Sequence, residues 1–330
     1  MKFKILATIG PVTEKKRDIQ TLIKYSEILR TNGSHNTLKW HEKISLKIKS
    51  INSKKIHLFD IPGIKPRTNN KNKLHIKVNE KVCFYFNKYS KNKIKQIELS
   101  KPLPLLKKKI KYFSIEDGQF FFEIIGFKKN YLIGRSKSNF VLYPKKGLNI
   151  PGSKYDDNLQ LSLYEEFLEK SKNIKFDAIG LSYVQSGKVV KTIKKKYYKK
   201  IIISKIENQE GLINYKEIIK ASDIIMIDRG DLAAEIGNHN LFDAIIKISV
   251  ETRNQGKPLI MATENLVSMI EKNEPTKSEV ISLVFNFLLG SNYIMLSEET
   301  ATSKNWKNTI KWLKNFIDIS KINKNSFKNI

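Results

Sequence analysis

The chain has 330 residues, 40% of them hydrophobic, a single cysteine and a formal net charge of +29. That length holds one large α/β barrel with an insertion, or two ordinary domains. No run of about 18 apolar residues is present to cross a membrane as a helix. Cys83, alone, excludes an intramolecular disulfide, and the opening MKFKILATIG turns polar too soon for a secretory signal, so the expected setting is a reducing cytoplasm. Positive charge admits nucleic acid as a partner, but the lysines are spread through KNKLHIK, KSKNIKF and KTIKKKYYKK alike. Spread charge reads as solvated surface that also hastens the arrival of small anions, and no specific nucleic-acid partner is expected.

Eight short aliphatic and β-branched runs follow one another along the chain. KFKILATIG comes first, then SEILRTNG near 26, KKIHLFDIPG near 54 and FDAIGLSYV near 176. KKIIISKIEN near 199, SDIIMIDRGD near 222, KPLIMATEN near 257 and NYIMLSEET near 292 complete the set. Each is apolar on both faces and ends in glycine or a polar residue, the pattern of a buried parallel strand. Amphipathic stretches of helical length lie between most of them, among them NLQLSLYEEFLEKSK, NYKEIIKAS, HNLFDAIIKISVETRNQ and TKSEVISLVFNFLLG. This alternation predicts an α/β fold, a (β/α)8 TIM barrel.

One interval breaks the rhythm. LHIKVNEKVCFYF, KQIELS, GQFFFEIIGF and YLIGRSKSNFVLYP read as successive strands, which predicts a small all-β domain inserted after the third barrel strand. The expected division is a catalytic barrel from residues 1–67 and 149–330, with the inserted lid at 68–148. WKNTIKWLKNFIDIS supplies the last helix, and the polar tail KINKNSFKNI is expected to fray.

Catalytic groups of such a barrel sit at the C-terminal ends of its strands. Those positions carry Arg30, Asn32, Ser34 and His35 on strand two, Asp60 with Lys65 and Arg67 after strand three, and Ser182 on strand four. Lys205 and Glu207 end strand five, Asp228, Arg229 and Asp231 strand six, Thr263 and Glu264 strand seven, and Ser297, Glu298 and Glu299 strand eight. In SKIENQEG, Lys205 and Glu207 are two apart and point to the same face. They make either a buried ion pair or a metal carboxylate beside a lysine that neutralises a transferring phosphoryl group. Asp231 offers a second ligand, since Mg²⁺ commonly takes one or two carboxylates. Arg30 beside them favours a metal-assisted anion site. His41, His57, His75 and His239 show no metal spacing and are taken as structural. Neither GxGxxG nor GxxxxGK[ST] occurs, and no Ser/His/Asp triad can be assembled.

Taken in order, these segments resemble pyruvate kinase. RTNGSHN resembles the family's RxNxSHG, FDIPGIKPR its loop after strand three, and KKGLNIPG its KKGVNLPG. TIGP, the EDG at Glu116 to Gly118, SKIENQEG, RGDLAAEI, KPLIMATENLVSM, PTKSEV and IMLSEETA follow the same order. The resemblance implies transfer of the phosphoryl group of phosphoenolpyruvate to ADP. Lys205 would stabilise that group in flight, Arg30 grip the phosphate, and Glu207 with Asp231 hold Mg²⁺ (or Mn²⁺). Ser182, Gly230, Asp231 and Thr263 would line the pocket for the substrate carboxylate, Thr263 near the proton-delivery path. Asn32, Ser34, Asp60 and Ile61 match ligands of a monovalent cation. Asn32, His35, Arg67 and Lys146 match positions around the nucleotide. Phosphoryl transfer rests on positioning and charge neutralisation, which such a rim supplies.

The departures bear on function. The family's large C-terminal domain has no counterpart here, which implies an unregulated enzyme and assembly, as in a homodimer, through barrel faces. TKGPE has become IPGIK, so the usual lysine is Pro62, and Lys65 stands where potassium-dependent members have Glu. The Lys65 ammonium would take the role of the monovalent ion, so K⁺ is not expected to be required. LSGET has become LSEET and ATQ has become ATE, which adds Glu298 and Glu264 near the rim. Two other readings stand beside phosphotransfer. One is a repurposed metal-dependent enolate enzyme, a lyase or aldolase acting on a pyruvate-like acid. The other is a basic nucleic-acid or regulatory protein without catalysis, against which the charged rim weighs.

Overall fold

In the computed structural model, which describes residues 3–87, 94–106 and 110–320, eight parallel strands close into a barrel. They are Lys4–Thr8, Ile28–Asn32, Ile56–Ile61, Ala178–Leu181, Ile201–Ile206, Ile224–Asp228, Leu259–Ala262 and Tyr293–Leu296. All eight runs read as strands in the sequence form strands, in the same order. The tail at 321–330 lies outside the described residues.

Two apolar shells hold the barrel. Leu6, Ile28, Leu58, Ile203, Met226 and Ile260 pack inside it, while the alternate residues of the same strands pack outward against the helices. Burial on both faces is why these strands carry no polar alternation. The helices expected between them form, including Asp157–Lys170, Asn238–Asn254, Lys277–Leu288 and Trp306–Ile319. Thr276 and Glu279 fix the start of the third of these by a reciprocal capping box.

The period of two places the chemistry. Stepping two residues along from the inner apolar layer replaces Leu6 by Thr8, Ile28 by Arg30, Leu58 by Asp60, Ile203 by Lys205 and Met226 by Asp228. The inner face therefore changes from hydrocarbon to charge at one end of the barrel. Gly180 pairs in register with Asp60, and a Cβ there would lie 3.1 Å from both the Asp60 backbone and its carboxylate. The missing side chain gives Asp60 its space.

After the third barrel strand the chain builds separate β-structure. Six strands pair in one sheet, including Lys81–Tyr85, Tyr112–Ile115, Phe120–Lys128 and Tyr131–Ser136, around an aromatic core of Phe84, Phe113, Phe122 and Phe140. The pairing continues as far as Ser153–Lys154, which lies against Leu105–Leu106. No helix among the described residues is long and apolar enough to cross a membrane.

Candidate active site

A cleft of about 730 Å³ opens between the C-terminal end of the barrel and the inserted β-structure. Arg30, Lys205, Glu207 and Asp231 line it from the barrel, and Asp117 and Lys146 from the insert. Its size suits a small-molecule substrate pair.

Its centre is a buried charge network. Arg30 donates from Nε and Nη2 to Asp60 Oδ2 at 2.8 and 2.7 Å, and from Nη1 to Thr8 Oγ1 at 3.1 Å. Ser182 Oγ donates to the other Asp60 oxygen at 2.9 Å. The Lys205 ammonium lies 3.0 Å from Glu207, 3.4 Å from Asp228 and 3.5 Å from Asp60. Burial works to lower the Lys205 pKa, but Asp60, Glu207 and Asp228 outweigh it and hold the group well above its ordinary value. Burial likewise works to raise Asp60, and Lys205 and Arg30 pull it below the usual carboxylate range. Glu207 ends up high: burial pushes it up, Lys205 pulls it back, and Asp228 and Asp231 push it further. Removing these ions from water is costly, and each is stable here only because counter-charges close on it.

A second group surrounds Asp231, in the first turn of the helix Arg229–Ile236. Lys65 donates a hydrogen bond to its carboxylate, and Asp117 of the insert lies 3.2 Å from the same ammonium. Asn149 donates to Glu235 Oε1 at 3.3 Å, and the Tyr183 hydroxyl donates to the same oxygen at 2.6 Å. Tyr183 also offers its backbone N–H to Glu207 Oε1 at 2.7 Å. Gly63 allows the segment carrying Lys65 to pass this close, because a Cβ there would fall 2.2 Å from the Ser182 carbonyl oxygen.

Thr263 closes the remaining wall. Its hydroxyl accepts from Gly230 N at 3.1 Å and lies 3.3 Å from Asp228 Oδ1. Thr263 and Glu264 both take left-handed backbone, with φ of 59° and 51°. For a β-branched residue that conformation is a true outlier and needs support. Arg229 supplies it, donating to the carbonyls of Ala262 and Thr263 and to Asn265 and Ser282.

The fold thus brings Arg30, Asp60, Ser182, Lys205, Glu207, Asp231, Gly230 and Thr263 around one point, with Lys65 beside Asp231. Asn32, Ser34, His35 and Arg67 line the mouth of the cleft with Lys146, which pairs with Glu116 at 2.7 Å. Burial, then Arg67 and Arg30, lower the His35 pKa and favour the neutral ring. Ile61 points the other way, into the shell between strands and helices. Glu264 and Glu298 are exposed at the rim. Sequence reasoning gave no role to Asp117, Asn149, Tyr183 or Glu235, and placed Asp228 and Arg229 at the rim without contacts. Asp117, Asn149 and Glu235 lie within the EDG, KKGLNIPG and RGDLAAEI segments, and Tyr183 follows Ser182 at the end of strand four, signals that could have marked them.

Glu207, Asp228 and Asp231 each offer an oxygen within 4.8 Å of the others, and Glu207 Oε2 accepts no hydrogen bond among the described residues. Hard oxygen donors with an open lone pair fit a divalent cation.

The whole arrangement has relatives. A family model described as pyruvate kinase, barrel domain, matches residues 1–310. The chain is 31% identical over 314 residues to a pyruvate kinase of Thermococcus litoralis, covering 92% of this chain and 66% of that protein. It is 30% identical over 311 residues to that of Borreliella burgdorferi, covering 91% and 64%, and 31% identical over 325 residues to that of Thermotoga maritima, covering 94% and 69%. The chain therefore spans about two thirds of the length of these relatives. Because the matched region runs through every strand end that carries a residue of the cleft, the chain belongs to the family of the pyruvate kinase barrel.

Proposed function

We propose that the chain transfers the phosphoryl group of phosphoenolpyruvate to ADP, giving pyruvate and ATP. The observation that carries this reading is the Lys205 ammonium, buried at a strand end with Asp60, Glu207 and Asp228 around it and Arg30 across from it. A cation fixed in a low-dielectric cleft stabilises charge on a phosphoryl group in transit without reorganising as the reaction proceeds. Arg30 lines the cleft and is oriented through Asp60 and Thr8, leaving N–H donors for a phosphate.

Gly230 N–H and the Thr263 hydroxyl suit the carboxylate end of the substrate, and in this reading Thr263 lies near the path that delivers a proton to the enolate. In this reading His35, Arg67 and Lys146, which line the cleft, take the nucleotide phosphates. Glu207 and Asp231 would hold Mg²⁺ (or Mn²⁺), which supplies Lewis-acid neutralisation of the phosphoryl and enolate oxygens. Lys65 brings a permanent positive charge to the same cleft, on Asp231 rather than on Asp60, and in this reading makes K⁺ dispensable.

The test is pyruvate formation from phosphoenolpyruvate and ADP with Mg²⁺, in parallel with and without K⁺. Turnover in both supports the reading. Folded, metal-binding protein that makes no pyruvate in either sinks it.

A further inference from the structure

Asp228 ends the sixth barrel strand two residues beyond Met226 of the inner apolar layer, so its carboxylate faces the cleft. It is 7% exposed, yet the two polar contacts its carboxylate makes among the described residues are long. The Thr263 hydroxyl stands 3.3 Å from Oδ1, and the Lys205 ammonium 3.4 Å from Oδ2. Asp60, similarly buried, is gripped by Arg30 at 2.7 and 2.8 Å and by Ser182 at 2.9 Å. Buried carboxylates are normally closed in by donors at such short distances. Asp228 has none.

Glu207 shows a related deficit. It is 2% exposed, and its Oε2 accepts no hydrogen bond among the described residues, having only the Lys205 ammonium at 3.0 Å. The two under-supplied carboxylates adjoin each other and Asp231, with one oxygen from each inside a span of 4.8 Å. Neighbouring ligands of an octahedral Mg²⁺ stand about 3 Å apart and opposite ones about 4 Å, so side-chain movement of about 1–2 Å closes the set on an ion. Charge points the same way. Asp60, Glu207, Asp228, Asp231 and Asp117 bring five carboxylates to these ion pairs, against three cations from Arg30, Lys205 and Lys65. Acidic groups outnumber basic ones here, an imbalance that a bound cation would offset.

We propose that Asp228 is a third carboxylate ligand of the divalent cation, joining Glu207 and Asp231. The chain then binds its ion before either substrate arrives, more tightly than two carboxylates allow, because affinity for a hard cation rises with the number of charged ligands. The inference rests on the reading that Glu207 and Asp231 hold that ion.

Mn²⁺ binding to the full chain without substrates separates the two. Free Mn²⁺ is followed by its electron paramagnetic resonance signal in the wild type, Asp228→Ala, Asp228→Asn and Glu207→Ala. Both Asp228 variants, and Glu207→Ala with them, are expected to raise the Mn²⁺ Kd by about 10-fold or more. Water proton relaxation per bound Mn²⁺ should rise as well, since a water takes the vacated position. Asp228 variants with wild-type Kd and relaxation, beside a weakened Glu207→Ala, overturn the role of Asp228 alone. Wild-type Kd in all three overturns the metal site itself. Asp228→Ala removes one of three carboxylates around Lys205, so Asp228→Asn, which keeps the shape, checks the result, and a thermal melt of each variant confirms that it is folded.

Discussion

Lys65 and Asp231 stand 166 residues apart in the chain and share one hydrogen bond in the fold. Asp117 of the insert also contacts the same ammonium, so one lysine joins the end of strand three, the helix after strand six and the insert. Burial works against the charge on Lys65, but Asp231 and Asp117 outweigh it and raise its pKa. Asp231 answers in kind: burial works to raise it, and Lys65 holds it far below the usual carboxylate range.

That fixed charge makes the first prediction. Lys65→Glu places a carboxylate against Asp231 and Asp117, reversing the local field. Turnover without K⁺ should fall by about 100-fold, the scale of losing one fixed electrostatic group in a closed site, and should recover when K⁺ is added. The wild type should be indifferent to K⁺. Pyruvate formation at constant ionic strength, with tetramethylammonium as the substitute ion, reads both. A Lys65→Glu enzyme that ignores K⁺ would remove Lys65 from the cation's role.

Lys205→Met separates chemistry from metal binding. Phosphoryl transfer should drop by about 100- to 1,000-fold. Mn²⁺ affinity should hold or improve, because the ammonium that competes for Glu207 and Asp228 is gone. The metal-free variant should also lose about 3–5 kcal/mol of stability, since buried carboxylates are left without their cation. Added Mg²⁺ should return much of that by binding the folded state alone. Thermal melts with and without Mg²⁺ check the second part, and near-normal turnover would refute the first.

The barrel was legible because a strand buried on both faces has to be written as an unbroken aliphatic run, and eight such runs stand out from a lysine-rich chain. The charged rim was legible for a related reason: Arg30, Lys205 and Glu207 break those runs at the same end each time. Partnerships across the chain were not legible. Arg30 with Asp60, Lys65 with Asp231 and Tyr183 with Glu235 follow from barrel register and from the path of the insert, which no local pattern encodes. Lys65 shows the difference plainly, since its identity suggested a stand-in for a monovalent ion while Asp60, the acidic member of that expected site, is already held by Arg30. The left-handed pair Thr263 and Glu264 was equally hidden, because neither residue type advertises positive φ.

Arg229 is what keeps that pair in place. Its guanidinium forks across two carbonyls, Asn265 and Ser282, a pattern that one ammonium cannot reproduce. Arg229→Lys should cost about 2 kcal/mol or more of stability, through lost charge-assisted bonds. It should also raise the KM for phosphoenolpyruvate more than it lowers kcat, because Thr263 and the Gly230 N–H form the substrate wall while Lys205 is untouched. Denaturant unfolding and steady-state kinetics test the two halves. Unchanged stability would mean that the turn holds itself.

His57 gives a prediction far from the chemistry. The ring is fully buried in strand three, between the Thr31 hydroxyl at 2.9 Å and the Lys175 carbonyl at 2.9 Å. The carbonyl can only accept, so Nδ1 carries the proton and Nε2 accepts from Thr31. Burial lowers the ring's pKa to about 4, against a backbone bond and Asp177 that work to raise it. The unfolded chain binds this proton near pH 6.5 and the folded chain only near pH 4, so acid favours unfolding across that window. Stability is fully present above pH 6.5 and is lost as pH falls through the window, by about 3 kcal/mol from this residue. His57→Gln keeps a polar side chain and removes the titration. The difference in unfolding free energy between wild type and His57→Gln should shrink by that amount between pH 7 and pH 4, measured by urea unfolding at each pH. Parallel profiles for the two proteins would show that His57 is protonated in the fold at no greater cost than in water.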